Sequence, residues 1–262
     1  MKIAILIADS YGEPFEEIRN SCLNRIWNYE NSKIEIFTMI GKRENKFSKV
    51  MNLTSNSLKY SRFWPLQRVL DKITLVKYKF KLPKVNQVEN ILLVDISEGL
   101  RYLGPKFLAS IQHLYDSGYD VIYKTTLSSV VQVEKLAEIV FKSDSYSMLY
   151  AGSVIEVGER RFVSGANLAL NRQTLKLIRN KYYQWDLADY DDVALGKIAR
   201  ANNISITEIS TLNIESLAKL NRYSDSELRE IVHFRCKSIA NPRNDIEIID
   251  ALLDRLAKIN EK

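Results

Sequence analysis

The sequence predicts an α/β fold built on a mainly parallel sheet flanked by helices, with a small antiparallel element. Three observations predict it. Short apolar runs suited to buried strands alternate with stretches whose apolar residues recur at helical spacing. Glycine or proline punctuates many of the junctions. In the second half Gly158-Glu159 stands between two short apolar runs, as in a hairpin.

The elements follow in order. Ile3 to Ala8 is an unbroken apolar run, a first buried strand. Gly12 and Pro14 punctuate, and Phe15, Ile18, Cys22, Ile26 and Tyr29 mark one face of a helix. Pro14 suits the first turn, where its missing N–H costs nothing. Lys33 to Ile40 alternates and ends at Gly41, a second strand. Ile91 to Ile96 is another strand, and Pro105 opens a helix carrying Phe107, Leu108, Ile111, Leu114 and Tyr115, closed by Gly118. Val121 to Thr125 reads as a strand, Val133 to Phe141 as a helix and Met148 to Tyr150 as a strand. Val154 to Val157 and Arg161 to Val163 form the hairpin, and Asn171 caps a helix from Gln173 to Asn180. Asp191 and Asp192 begin a helix reaching Asn202, followed by a strand near Ile204 to Ile209. A helix capped by Ser224, an extended stretch through His233-Phe234-Arg235-Cys236-Lys237 and a final helix capped by Asp245 complete the chain. In such sheets ligands sit at the carboxyl ends of the strands, which points to Asp9 to Tyr11, Asp95 to Glu98 and Thr125 to Ser129.

With 262 residues, 46% hydrophobic and 27% charged, residues 1–262 are expected to form one domain with a full core. The run from Ile3 to Ala8 is too short to span a bilayer, and no small-residue cleavage site follows it, so a cytoplasmic location is expected. Two distant cysteines, Cys22 and Cys236, imply neither a disulfide framework nor a zinc site. The net charge of +6 attracts anionic partners. Much of it lies in a basic aromatic stretch at about 45–85, where Lys77, Lys79 and Lys81 interleave with Tyr78 and Phe80. Such a stretch suits three roles: a single-stranded nucleic-acid face, an insertion meeting an acceptor or an anionic membrane surface, or a plain solvated face. The insertion is the reading adopted, with a peripheral membrane contact and no nucleic-acid partner.

The GxxxxGK[ST] phosphate loop, GxGxxG, GxSxG and HExxH are all absent. What remains is an ordered set. Lys124-Thr125-Thr126-Leu127-Ser128-Ser129 follows a strand, and Phe162-Val163-Ser164-Gly165-Ala166 leads into Leu168 to Arg172. Asp191-Asp192-Val193 and His233-Phe234-Arg235-Cys236-Lys237 come later. Together these resemble the fringe and β-1,3-galactosyltransferase-like glycosyltransferases of the GT-A fold, and especially bacterial relatives. The resemblance covers roughly Ile91 to Lys237.

That resemblance implies a GT-A-like, Rossmann-like sheet and transfer of a sugar from a nucleotide-sugar donor to a hydroxyl of a glycan or lipid-linked glycan, with inversion. It implies Asp192 as the catalytic base, with Asp191 as its alternate. The donor would be met by Asp9, Ser10, Lys124, Thr126, Ser128, Ser129, Ser164, Gly165 and Ala166, and further by His233, Arg235, Lys237 and Arg243. The chain departs from the family at one place: Leu127, Ser128 and Ser129 stand where the acidic metal-holding motif belongs. Asp189-x-Asp191 spells DxD but comes too late in the order. Hydroxyls bind magnesium or manganese poorly, so no cofactor and a metal-independent reaction are expected, with cations stabilising the leaving group. Plainer readings accompany each residue: Ser128 and Ser129 as a cap or turn, Asp191 and Asp192 as partners of a helix dipole, and His233 as a surface imidazole on an edge strand. The rival function is a non-catalytic sugar-nucleotide or glycan-binding relative.

Overall fold

A computed structural model describes the chain except residues 12–14, 28–32, 43–68, 70–74, 100–101, 143–146, 188, 241–242 and 261–262. Pro14, Tyr29 and most of the basic aromatic stretch therefore lie outside the described residues. In chain order the strands are β1 (Ile3–Ala8), β2 (Ile34–Lys42), β3 (Val85–Val88), β4 (Ile91–Ser97), β5 (Val121–Thr126), β6 (Ser129–Val131), β7 (Tyr150–Val157), β8 (Arg160–Asn171), β9 (Ile206–Glu208), β10 (Thr211–Ile214) and β11 (His233–Cys236). The helices are α1 (Phe15–Trp27), α2 (Lys77–Phe80), α3 (Leu103–Asp116), α4 (Val133–Lys142), α5 (Arg172–Lys181), α6 (Asp191–Ala201), α7 (Leu217–Leu220), α8 (Asp225–Glu230) and α9 (Asp245–Asn260).

The main sheet has eight strands in the order β3-β4-β2-β1-β5-β8-β7-β9. Its centre, β4-β2-β1-β5, is parallel throughout. β8 is antiparallel to both β5 and β7, and β9 returns to a parallel pairing with β7. Helices cover both faces, as parallel strands require when neither side meets water. Because side chains alternate, β1 sends Ile3, Ile5 and Ile7 to one face and Ala4 and Leu6 to the other. The first face packs on α4, α9 and a second, three-stranded sheet ordered β10-β11-β6. The second face packs on α3, α5 and α6.

Local chemistry sets several element ends. Asn171 caps α5 by accepting from the Thr174 N–H, and Ser224 and Glu227 form a reciprocal capping box on α8. Asp245, expected as a cap for α9, instead turns its carboxylate back to the Ser238 N–H and the Arg243 guanidinium. That bonding ties the chain after β11 to the last helix.

The largest departure from the sequence pattern is the pair β7–β8. The pattern suggested a strand at Met148 to Tyr150 and a separate short hairpin. The structure joins them: β7 runs unbroken from Tyr150 to Val157, and β8 continues to Asn171. Small polar residues at Gly152-Ser153 and Ser164-Gly165 interrupt the apolar run, and a shift of register between Gly152 and Val154 absorbs the irregularity. Gly152 has φ 151°, and a Cβ there would lie 1.9 Å from the Asn167 carbonyl oxygen and 2.4 Å from a Val163 methyl. The short strands β3, β6 and β10 left no readable period. Among the described residues no helix is long and apolar enough to cross a membrane.

Gly152→Ala is therefore expected to cost about 3 kcal/mol or more, combining backbone strain with overpacking. Gly158→Ala, at φ 58° in open space, should cost only about 1 kcal/mol, the left-handed penalty alone. Equal shifts of the two midpoints in chemical denaturation would refute the bulge argument.

Candidate functional site

The site is organised by one buried ion pair. Alternation along β5 sends Lys124 to the side of Ile122, into the layer beneath α3 and α6. There its ammonium meets the carboxylate of Asp191, both groups being almost wholly buried. It also lies 4.9 Å from the centre of the Phe107 ring, a cation–π contact. Asp191 is the first residue of α6, and Tyr190 before it offers no side-chain cap. The carboxylates of Asp191 and Asp192 thus stand at the positive end of the helix dipole.

Two glycines let α6 lie close to β8. A Cβ on Gly196 would come 2.5 Å from Cβ of Phe162, and one on Gly165 would come 3.1 Å from Lys124 Nζ and 3.4 Å from Cβ of Asp192. The close approach lets the Gly165 N–H donate to Asp192 Oδ2 at 3.2 Å, while the Val193 N–H donates to Oδ1 at 2.8 Å. Burial, with the neighbouring charge of Asp191, raises the Asp192 pKa above its ordinary value of 3.8; these two N–H groups and Lys124 offset part of the rise. Tyr150 accepts the Val163 N–H, and burial first, then both carboxylates, raise its pKa.

The second contribution comes from β11. Arg235 pairs in register with Ser129 of β6, and its guanidinium lies in the fields of Asp192, Asp245 and Arg243. Burial and Arg243 lower its pKa while the two carboxylates oppose the shift. Arg243 itself is bonded to Asp245 and stacked 6.0 Å over Phe15, and Lys237 is exposed just beyond the strand. His233 is not on an edge: β11 is the middle strand of its sheet, and the imidazole is completely buried. Its Nδ1 lies 2.7 Å from the Tyr123 hydroxyl, which donates to Asn167 Oδ1 at 2.9 Å.

At the carboxyl ends of β1 and β4 stand two further ion pairs. Arg19 clasps Asp9 with both nitrogens at 2.6 and 2.8 Å and also reaches the Ser10 carbonyl at 2.8 Å. Lys106 bonds both oxygens of Glu98 at 2.9 and 2.8 Å, and Glu98 accepts the Gly41 N–H. Ser10 bridges the two groups through its hydroxyl, 3.5 Å from Glu98 Oε2. Asp95, on the same strand end, points outward to Lys42.

Of the residues marked in the sequence, Lys124, Gly165, Asp191 and Asp192 meet directly, and Arg235 comes within their field. Ser164 accepts the Ala166 N–H at 3.3 Å, so this passage is a tight backbone turn-in beside Asp192. Thr126 and Ser129 bond one another at 3.0 Å, and the Ser128 carbonyl accepts the Cys236 N–H at 2.7 Å. Asp9 and Ser10 sit at the end of the neighbouring strand. Lys124 faces Asp191 rather than any open surface, and Asp189 takes Lys197 as its partner. Arg19, Lys106, Tyr123, Asn167 and Gly196 were not marked. Only Asn167 carried a signal, a lone amide inside the run Ala166 to Leu170.

The resemblance drawn from the sequence would place a divalent cation after β5. Leu127, Ser128 and Ser129 occupy that place, all buried, and supply a methyl-rich side chain and two hydroxyls. This donor set does not fit magnesium or manganese, which take carboxylate oxygens. Among the described residues no three His, Cys, Asp or Glu side chains gather as a metal site.

Neither a protein-family profile nor a curated protein matches the sequence. Among solved structures, the chain is similar to the galactosyltransferase LgtC in complex with donor and acceptor sugar analogs, at 10% identity and TM-score 0.43, covering 97% of this chain and 95% of that one. It is also similar to mouse xyloside xylosyltransferase 1 in its apo form, at 9% identity and TM-score 0.43, covering 90% and 97% of the two chains. Likeness at these scores assigns neither donor nor acceptor.

Because the folded pKa of Asp192 is raised, its protonated form stabilises the fold below its ordinary value, and that contribution disappears as pH rises through the folded value. The melting temperature of Asp192→Asn relative to the native protein should therefore climb as pH rises above about 4, the ordinary carboxylate value. A pH-independent difference in thermal melts would contradict the raised pKa.

Proposed function

We propose that this protein is a GT-A-type glycosyltransferase that moves a sugar from a nucleotide-sugar to a hydroxyl of a glycan or lipid-linked glycan, with inversion and without a divalent metal. The observation that carries the reading is the placement of Asp192: a carboxylate of raised proton affinity, held by two backbone N–H groups at the mouth of a mainly parallel sheet, with Arg235 nearby. The order of the motifs along the chain supports it.

The chemistry follows from that placement. Asp192 takes the proton of the acceptor hydroxyl as its oxygen attacks the anomeric carbon, and the bond from that carbon to the diphosphate breaks with both electrons going to the leaving oxygen. A raised pKa makes the base stronger at neutral pH, while the Gly165 and Val193 N–H groups hold its direction. The departing diphosphate gains negative charge, which Arg235, with Lys237 and Arg243, is suited to offset. Lys124 is assigned to holding Asp191 rather than to the donor, since its ammonium is buried against that carboxylate. The tight backbone at Ser164 to Ala166 shapes the sugar pocket, and Ser10 and Asp9 border the nucleotide end.

Asp192→Asn keeps the size but cannot accept the proton, so turnover should fall by about 10² to 10⁴ with donor binding retained. The same assay in excess chelator should show unchanged turnover. Full activity in Asp192→Asn removes it as base, and a strict need for manganese or magnesium removes the metal-independent mechanism. Donor binding with no turnover by the native protein would favour the non-catalytic relative.

The described end of the basic stretch supports a peripheral contact with an anionic membrane. On α2 and just after it, Lys77, Lys79 and Lys81 are exposed, and Phe80 among them is 80% exposed. Cations around an exposed ring suit the headgroup region. Replacing the three lysines by Gln should weaken association with anionic liposomes by roughly 1 kcal/mol per charge at low salt. No association of the native protein under those conditions would end this proposal.

A further inference from the structure

Further along α6 from Asp192, cations gather around a second opening. A cleft of about 30 Å³ lies between the start of β8 and α6, lined by Arg160, Arg161, Val193, Gly196, Lys197 and Arg200. Val193, Lys197 and Arg200 are spaced i, i+4 and i+7, so they share one side of the helix. Arg161 is paired with Glu156 at 3.1 Å, and Lys197 with Asp186 at 3.4 Å and with Asp189. The guanidiniums of Arg160 and Arg200 form no ion pair among the described residues, and both residues are exposed. Neither Asp nor Glu lines the cleft among the described residues.

Two uncompensated guanidiniums on one narrow cleft repel each other until an anion stands between them, and their planar forks match the oxygens of a phosphate. The volume exceeds the roughly 10–15 Å³ that one water requires, and it is far below the roughly 300 Å³ of a pocket that encloses a whole small molecule. It suits a phosphate group and excludes a buried sugar ring or nucleobase. Its position is equally informative. Val193 is the residue whose N–H holds Asp192, and Gly196 lies one helical turn after Asp192. Lys197 and Arg200 follow at about 7 to 12 Å along the helix axis, a span that a sugar between a reacting hydroxyl and a linking phosphate can bridge. On the other side, Asp186, the partner of Lys197, lines a neighbouring cavity with Val76 and with Lys79 of α2. The cleft thus neighbours both the proposed base and the proposed membrane contact.

We propose that the cleft lined by Arg160, Arg161, Lys197 and Arg200 holds a phosphate of the acceptor, and that the acceptor is therefore a glycan joined to lipid through phosphate and not a free glycan. Binding of phosphate in the cleft stands independently of the proposed function; its assignment to the acceptor rests on that reading. The donor's diphosphate is assigned to Arg235 with Lys237 and Arg243, none of which lines the cleft. No bond to the acceptor's phosphate forms or breaks. The phosphate anchors the acceptor, so that its sugar extends along α6 toward Asp192 and its lipid toward the exposed lysines of α2.

Carbon-13 NMR of the arginine Cζ signals during titration with inorganic phosphate tests the cleft without any sugar. The Arg160 and Arg200 signals, assigned through Arg160→Gln and Arg200→Gln, should follow one saturable curve that sodium chloride at equal ionic strength does not reproduce. The double variant should weaken the same binding, read at Arg161, by about tenfold or more. No saturable shift, or an equal shift with chloride, overturns the site. The acceptor arm compares a panel of monosaccharides with the same sugars joined through diphosphate to a short, water-soluble alkyl chain. Native kcat/KM should favour the diphosphate-linked form by about tenfold or more, and the double variant should erase that preference through KM and not through kcat. An undiminished preference in the double variant overturns the acceptor assignment even where phosphate binds. Equal loss of binding to phosphatidylglycerol vesicles by the arginine variant and by the variant with Lys77, Lys79 and Lys81 replaced, with the preference kept, would make these arginines membrane contacts and overturn the proposal as well. If the native protein turns over no acceptor of either kind, the glycosyltransferase reading fails and the acceptor assignment with it, while the phosphate titration still decides the cleft.

Discussion

The buried ion pair between Lys124 and Asp191 is the constraint on which the candidate site depends. Two charges taken from water on a central strand and a helix start are costly, and they persist only with close geometry and further contacts. Here the Phe107 ring supports the ammonium, and the dipole of α6 supports the carboxylate. The pair locks the first turn of α6 against β5. Gly165 and Gly196 supply the clearance, and Asp192, the next residue, is delivered beside β8 with its orientation already set. Removing one partner would leave the other charge buried alone, so neither residue can vary independently.

A second layer supplies the opposite charge. The guanidinium of Arg235 enters from β11, in a sheet separate from the one that carries Lys124, and a polar line crosses the otherwise apolar space between the sheets. Tyr123, Asn167 and Thr211 form a continuous hydrogen-bonded line there, with His233 at its end. Groups bonded to one another in a place of low dielectric move little. Asp9 with Arg19 and Glu98 with Lys106, at the ends of β1 and β4, are likewise closed pairs that define shape more than they offer free charge.

Much of the scaffold was legible because burial imposes periods on the chain. The runs at Ile3 to Ala8, Ile91 to Ile96 and Val121 to Thr125 are strands nearly to the residue: the first and last are buried on both faces, and in the middle one Leu92, Val94 and Ile96 form the buried side. The caps at Asn171 and Ser224 were equally plain, because capping is a local bond between neighbours. β8 was not legible in full: its Ser164-Gly165 passage serves the approach of α6, a partner with no mark in the local pattern. Strands of three or four residues, such as β6 and β10, are too short to show a period and exist only through their pairing with β11.

By itself, then, the sequence determined the alternation of strands and helices, the capped helix ends, the set of charged and small residues that a site could use, and the lack of acidic residues after β5. The partner of each charge was decided only in three dimensions. Lys124 looked as available as Arg235, yet strand alternation buries it 67 residues away from its own position in the chain, against Asp191. His233 looked like a surface imidazole, yet the pairing of β11 between β10 and β6 encloses it and sets its Nδ1 against the Tyr123 hydroxyl, 110 residues distant. The physical reason is common to both cases: periodicity reports which side of an element is buried, whereas the identity of the neighbour depends on sheet order and close helix approach, which connect residues no local pattern links.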